Sequence, residues 1–377
     1  LFKNSYKERQ PIYAVAENTS AKFEPSENAI QTDNIPIYYQ NRLRTKDQFN
    51  QYITFENLMQ DPVGNLRKIH TEMLKDYAKR EQEFQSVSFA SFQAKQKFQK
   101  DLDIYKQEID QFERGIKQIE FKDWVKKAFI YMNQTFSTQV GNGRVYSGWR
   151  LFQIVFIVSL ICEMIRSEYK EDATLTLADI EVANLLYFPT GGGKTEAFLG
   201  CCVFSMFFDR LRGKKYGMTA LLKYPLRLLA VQQLERVLVV VMKANIVRES
   251  SEELRNTPRF EVGFFVGKSN TPNNISSREP LSDRGDNSHG SKGLILESDD
   301  DTLNEYYRFI DTCPVCGKKS ISMRFNHVNW KLEHYCTNQE CKIDELPLLI
   351  VDNEIYRYLP SIVVSTIDKM AMLGTTN

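Results

Sequence analysis

Residues 188–195 read Phe188-Pro189-Thr190-Gly191-Gly192-Gly193-Lys194-Thr195. A phosphate-binding loop needs backbone N–H groups that converge on phosphate oxygens, which excludes bulky side chains from the turn. Gly191, Gly192 and Gly193 meet that demand. In such a loop Lys194 reaches the β- and γ-phosphates, Thr195 holds Mg²⁺, and the following helix directs its positive end at the anion. Thr190 and Glu196 flank these residues and complete the candidate nucleotide-binding set. The pattern G-x-x-x-x-G-K-[ST] is not complete, because Phe188 stands at its first glycine position. A glycine-rich loop arising by chance is the competing reading.

The flanking sequence supplies context. The apolar run 182–188 reads as a strand ending in the turn, and 195–211 as an apolar helix leaving it. A strand is expected at 218–224, a helix at 228–243, a strand at 260–266 and a returning strand at 362–365. Strand, phosphate loop, helix, strand, helix is the alternation of a parallel α/β sheet. Ahead of it, residues 1–50 are polar and irregular, with Pro11, Pro25 and Pro36 set against long helices. Residues 51–140 read as a helical domain. There Phe98, Leu102, Tyr105, Ile109, Phe112, Ile116 and Ile119 alternate spacings of four and three, an apolar seam on one helix face. The seam serves either a coiled-coil arm or a helix packed on its own domain, and its length of about three heptads favours packing. A loop at 141–148 leads into a buried helix at 149–166. The domain 141–377 is interrupted by a flexible insertion at 268–310, rich in Ser, Asn, Asp, Gly and Pro, and by a cysteine-bearing insertion at 311–345.

Four of the seven cysteines fall in that second insertion. Cys313-Pro314-Val315-Cys316-Gly317 is a tight knuckle, and Cys336 and Cys341 form a looser pair beyond it. Two close pairs separated by a short hairpin suit tetrahedral Zn²⁺. Four thiolates close such a site, so the metal is structural, a staple for an insertion without a sizeable core. His327 and His334 are spare candidates. Cys162, Cys201 and Cys202 lie in apolar segments and read as core residues. An odd count with one metal-like cluster argues against a disulfide framework and for a reducing compartment, the cytoplasm.

The 377 residues carry 49 Lys and Arg against 48 Asp and Glu, a net charge of +1. Any nucleic-acid surface must therefore be a local patch. No basic segment followed by an apolar core opens the sequence. The most apolar stretch, 154–165, is about 12 residues with Ser159 and Glu163 inside it, short of the roughly 20 that span a bilayer. No membrane partner is expected. The chain opens on Leu1 and stops at Asn377 without tail-like composition, and is expected to be a piece of a longer polypeptide.

Further segments resemble those of superfamily-2 helicases. Trp149-Arg150-Leu151-Phe152-Gln153 is similar to their adenine-reading segment, which implies that the Gln153 amide pairs with the base and Phe152 helps cover it. Tyr224-Pro225-Leu226-Arg227-Leu228-Leu229-Ala230-Val231-Gln232 resembles Pro-Thr-Arg-Glu-Leu-Ala-x-Gln, with Leu226 and Leu228 departing from it. That resemblance implies contact of Arg227 and Gln232 with the nucleic-acid backbone, against a structural salt bridge for Arg227. Phe264-Phe265-Val266-Gly267 stands where these helicases place a glycine-containing turn near the bound strand. Residues 362–369 resemble the segment in which a threonine after a strand contacts phosphate, with Thr366 and Lys369 as candidates. The carboxylate pair that orients water and Mg²⁺ follows that segment in the superfamily and is not found in the sequence. Residues 294–301 and Asp352-Asn353-Glu354 come too early in the order and are read as surface acids. The expectation is that this chain binds nucleotide but turns it over poorly alone, because phosphoryl transfer needs positioned Mg²⁺ and an oriented nucleophile.

Taken together, these residues resemble large bacterial helicases of the DISARM anti-phage type, which carry a carboxy-terminal domain first described without a function. The resemblance runs over most of 120–377. It includes Ala128-Phe129-Ile130-Tyr131-Met132-Asn133, Gly148 to Gln153, Phe188 to Gly200 and Leu226-Arg227-Leu228-Leu229. The Thr271-Pro272-Asn273 turn, the cysteine cluster, Val351 to Arg357 and Thr366-Ile367-Asp368-Lys369 belong to it as well. Phe188 is usual in that group, whereas Asn353 replaces an expected acid. The resemblance implies a RecA-like parallel sheet flanked by helices, with ATP, Mg²⁺ and structural Zn²⁺ as cofactors. It also implies DNA and a protein subunit of a defence complex as partners, and ATP-dependent DNA helicase or translocase activity. A nucleotide-gated DNA-binding or loading module of a defence or repair complex, without unwinding, is the alternative. A pure binding module built on the zinc ribbon and helical arm is a third class, opposed by the intact Lys194 and Thr195.

Overall fold

The computed structural model describes residues 20–32, 47–141, 146–169, 172, 175, 183–188, 192–266, 271–272, 275–276, 294–295, 307–326, 328–341, 343–367 and 369. The chain divides into two compact units, Leu1–Arg44 and Thr45–Asn377. In the first, strands β1 (Ala21–Glu24) and β2 (Ala29–Thr32) pair antiparallel, with Asn28 at φ +48° in the turn.

The second unit opens with helices α1 (Asp47–Asn50), α2 (Phe55–Gln60), α3 (Pro62–Ser86), α4 (Phe92–Phe121) and α5 (Asp123–Ser137). Local signals start three of them. Thr54, Asp61 and Ser91 accept from the backbone N–H of Asn57, Gly64 and Ala94, and Pro62 occupies the first turn of α3. Helices α3 and α4 pack on each other. The seam expected on α4 is a packed face, with Leu102, Ile109, Phe112, Ile116 and Ile119 buried. Its later half meets α6 (Leu151–Ser159) closely: a Cβ on Gly115 would lie 1.9 Å from the Val158 carbonyl oxygen. The buried helix expected at 149–166 is two helices, α6 and α7 (Ile161–Ile165), joined at Leu160.

Then come α8 (Lys194–Leu211), β3 (Ala220–Tyr224), α9 (Arg227–Ser250), β4 (Val262–Phe265), β5 (Ile275–Ser276) and β6 (Leu294–Ile295). β7 (Ile321–Asn326), β8 (Lys331–Cys336), β9 (Leu348–Leu349), α10 (Asp352–Tyr358) and β10 (Ile362–Thr366) follow. Four strands form a parallel sheet in the order β3-β10-β4-β9. Its inner strands, Ile-Val-Val-Ser-Thr and Val-Gly-Phe-Phe, are buried throughout, as continuous apolar strands are when both sheet faces are covered. Ile362, Val364, Val262 and Phe264 join the main core with α9, while Val363, Phe265 and Leu349 pack with Ile355 of α10. This is the expected α/β class: a parallel sheet flanked by helices, preceded by a helical region and carrying a cysteine-bearing hairpin.

That hairpin, β7–β8, is built into the sheet's core. Ile321, Met323 and Leu332 belong to the same apolar cluster as Val262 and Ile362. Lys331 Nζ lies 2.9 Å from Glu261 and 2.8 Å from Glu345, and Arg259 reaches Glu345 at 2.6 Å.

One expected strand is not regular. Residues 183–188 have no secondary structure, and Leu185 and Tyr187 are 87% and 92% exposed. An apolar run becomes a strand only where a neighbour takes up its N–H and C=O groups, and no described strand pairs with it.

Candidate functional site

The glycine loop ends where α8 begins. Gly193 caps the helix at φ +89°, a conformation that side-chain-bearing residues rarely adopt. Space is closed as well, since a Cβ there would stand 2.7 Å from Gln153 Nε2. Lys194, Thr195 and Glu196 therefore occupy the first turn of an 18-residue helix.

Helix α6 braces the loop from the side. The buried Gln153 amide is engaged at both atoms: Oε1 accepts from Arg150 N and Nε2 donates to Gly193 O, each at 2.7 Å. Arg150 Nη1 donates to Gly192 O at 2.6 Å. Lys194 Nζ donates to the Phe188 carbonyl. Phe152 and Phe188 stack with ring centroids 3.8 Å apart and planes 15° from parallel. Thr190 and Gly191 lie outside the described residues.

A cleft of about 400 Å³ opens beside the loop, lined by Phe55, Phe136, Tyr146, Gly148, Trp149, Arg150 and Gln153, and by Gly192 to Glu196 and Arg236. The volume lies in the range of small-molecule sites. Arg150, Lys194 and Arg236 contribute positive charge, and Glu196, ion-paired to Arg236 across from α9, is the one carboxylate among the described lining residues. Phe152 is not part of the lining; its ring is taken up by Phe188. The aromatic wall is Phe55, Phe136, Tyr146 and Trp149, with Trp149 fixed by a 2.8 Å bond from Nε1 to Asn133 Oδ1. The sequence pointed to Trp149, within the adenine-reading segment, but not to Arg236, Phe55, Phe136 or Tyr146. Arg236 gives no local signal, because only the packing of α9 beside α8 brings it to the loop.

Among the described candidate nucleic-acid residues, Arg227, Thr366 and Lys369 lie at or just past the carboxyl ends of β3 and β10. Thr366 is in register with Tyr224, and Ser365 with Phe265, so β3, β10 and β4 end side by side. Arg227 is the first residue of α9, and Gln232 is exposed one turn on. Thr366 is buried. Lys369 is also buried, its Nζ 2.5 Å from Asp352 Oδ2 and 4.6 Å from the centre of the Phe265 ring. Gly267 lies outside the described residues.

Asp352 and Glu354 are not the surface acids expected from sequence. Asp352 is the buried partner of Lys369. Glu354, 2% exposed, accepts from Leu332 N at 2.6 Å, and burial pushes its carboxyl up to about 8. In 294–301 the structure describes Leu294 and Ile295; the acids after them lie outside the described residues.

The four clustered cysteines come together. Their sulfurs lie within 4.8 Å of one another, with Cys313 and Cys341 3.8 Å apart and Cys316 and Cys336 3.7 Å apart, all as free thiols. A tetrahedron with metal–sulfur bonds of about 2.3 Å has edges of about 3.8 Å, so this donor set fits Zn²⁺. The knuckle is closed by Gly317 N to Cys313 O and Cys313 N to Lys318 O, both 2.9 Å, with Gly317 at φ +69°. Burial pushes the Cys313 thiol up to about 12, whereas the backbone N–H of Lys318 holds Cys316 down to about 6. His334 lies on β8 outside the sulfur cluster, and burial lowers it to about 4; His327 lies outside the described residues. Burial raises the thiols of Cys162 and Cys202 to about 11 and 12, so neither is a thiolate at neutral pH.

Among the described residues, no helix is long and apolar enough to cross a membrane. No family model matches the chain. It is similar to DISARM protein DrmA of Bacillus paralicheniformis, at 33% identity over an alignment of 246 residues that covers 60% of this chain. The chain covers 20% of that relative's length.

Proposed function

We propose that the cleft between α6, α8 and α9 binds ATP with Mg²⁺, and that the chain is an amino-terminal part of an ATP-dependent DNA helicase or translocase acting in anti-phage defence. One observation carries the nucleotide reading: a left-handed glycine turn delivers Lys194 and Thr195 to the head of α8, beside a cleft with three cationic side chains and one carboxylate. The first N–H groups of a helix lack partners within it and attract anions. Lys194 would exchange the Phe188 carbonyl for phosphate oxygen, and the Thr195 hydroxyl would hold the metal. Bound Mg²⁺ supplies charge neutralisation at the terminal phosphates. Gln153 and Arg150 act on the loop's backbone and keep its carbonyls turned away from the anion.

The shared end of β3, β10 and β4 supports a DNA-facing edge, since ligands of parallel sheets gather at the carboxyl ends of strands. Arg227 and Gln232 would touch backbone phosphates there, Gly267 would lie close to the strand, and Thr366 and Lys369 would shape the edge from beneath. The four cysteines would hold structural Zn²⁺. Similarity to DISARM protein DrmA supports the defence role; a partner subunit and a cytoplasmic setting are part of the same proposal. In this reading 1–50 is a leading segment, 51–140 a helical domain and 141–377 a motor domain with insertions at 268–310 and 311–345. A nucleotide-gated loading module without unwinding is the second reading. It is favoured by the engagement of Glu196, the one described carboxylate in the cleft, with Arg236.

Titration with a fluorescent ATP analogue tests the proposal. Wild type should bind, Lys194→Ala should lose binding by about tenfold or more, and DNA affinity should fall steeply with salt. Absence of nucleotide binding by the wild-type chain would refute it.

A further inference from the structure

We infer that Arg236 distinguishes nucleoside triphosphate from diphosphate in this cleft, and that Glu196 is a resident carboxylate which yields Arg236 to the terminal phosphate. The inference rests on the nucleotide reading above.

Glu196 sits in the first turn of α8, where negative charge is favoured. Its Oε2 lies 3.3 Å from the position of a Cβ built on Gly193, so the carboxylate lies against the backbone of the phosphate loop itself. An anionic group of this chain therefore lies beside the loop that the proposed phosphates would sit on. Its partner comes from a different helix. Arg236 of α9 donates Nη2 to Glu196 Oε1, and its other bond is a long one, 3.4 Å from Nη1 to Gln233 Oε1.

Both members of the pair are accessible, with side chains 43% and 28% exposed. Ion pairs of that exposure contribute little to folding, so the fold loses little when this one is exchanged. A guanidinium binds phosphate oxygens through two parallel N–H bonds, and it prefers the more highly charged anion. Lys194, in the same lining, reaches the β- and γ-phosphates from the head of α8, whereas Arg236 enters the cleft from α9. Arg236 is a further cation of the lining, held by a carboxylate, and the added charge of a third phosphate is what competes with Glu196 for it.

The test measures equilibrium binding of ADP and of a non-hydrolysable β,γ-imido ATP analogue to the full chain with Mg²⁺. Wild type should prefer the triphosphate. Arg236→Ala should weaken the triphosphate analogue by about tenfold and ADP by less than about twofold, with Arg236→Lys recovering part of the loss. Glu196→Gln should strengthen the triphosphate analogue several-fold, because its competitor for Arg236 is gone. Equal losses of both nucleotides in Arg236→Ala, or weaker triphosphate binding in Glu196→Gln, would mark the pair as a tether between α8 and α9 and overturn the inference. Failure of both nucleotides to bind wild type would instead overturn the nucleotide reading, and the role of Arg236 with it.

Discussion

Glu354→Gln should make the protein more stable, and increasingly so as pH rises. The Glu354 side chain lies between α10 and β8, where Oε1 accepts from Leu332 N and the buried Oε2 has no hydrogen-bond partner. Burial is the largest cause that lifts its pKa from 4.5 to about 8; the Leu332 N–H and Lys331 oppose it, and Glu261 and Glu345 reinforce it. The folded protein therefore keeps a proton that the unfolded chain releases, and stability is highest below the unfolded value and lost as pH rises toward the folded one. At about 1.4 kcal/mol per pH unit, this group removes roughly 3.5 kcal/mol between pH 5 and pH 8. Glutamine copies the protonated acid in shape, keeps the acceptor for Leu332 N and does not titrate. Urea unfolding of both proteins, with zinc saturating so that the cysteines stay silent, should give similar stabilities at pH 5 and a variant about 3 kcal/mol ahead at pH 8. His334, lowered to about 4, makes stability rise between pH 4 and 6.5 in both proteins and cancels in the difference. A gap that stays constant from pH 5 to pH 8 would mean that Glu354 is not held neutral in the fold.

Two further outcomes can be checked on the same protein. Elemental analysis should find one zinc per chain, chelation should lower the melting temperature by about 10 °C or more, and Cys316→Ser should lack both the metal and the shift; a metal-free wild type of unchanged stability would dismiss the site. Lys369→Ala takes from the buried Asp352 its 2.5 Å ion pair and should cost about 3–5 kcal/mol in urea unfolding, so weaker DNA binding by this variant would come with lost stability. An unchanged urea midpoint would show that Lys369 does not point inward.

What sequence could read was set by range. The apolar strands β4 and β10, the helices α8 and α9 and the cysteine spacing are local patterns, and each lies where expected. Glycine at 193 was legible as part of a phosphate loop that excludes bulky side chains, and the structure adds that it takes a left-handed conformation there. The misread features depend on partners distant in sequence. Residues 183–188 have the composition of a strand but no described neighbour to complete one. The resemblance implied that Phe152 covers a base, yet its ring is taken by Phe188, 36 residues on. Asp352 and Glu354 were taken for surface acids because nothing in 352–354 announces Lys369 or the amide of Leu332. Arg236 and Glu196 meet only because α8 and α9 lie together.

The hairpin that brings the cysteines together shares the apolar core of the sheet and is clamped to it by Lys331 between Glu261 and Glu345. Among the described residues, such an attachment holds the hairpin by packing and by charge at once. A pull or push at the cysteine end is carried along β8 as along a stiff lever and arrives at β4 and β9, so whatever grips that end moves the sheet with it.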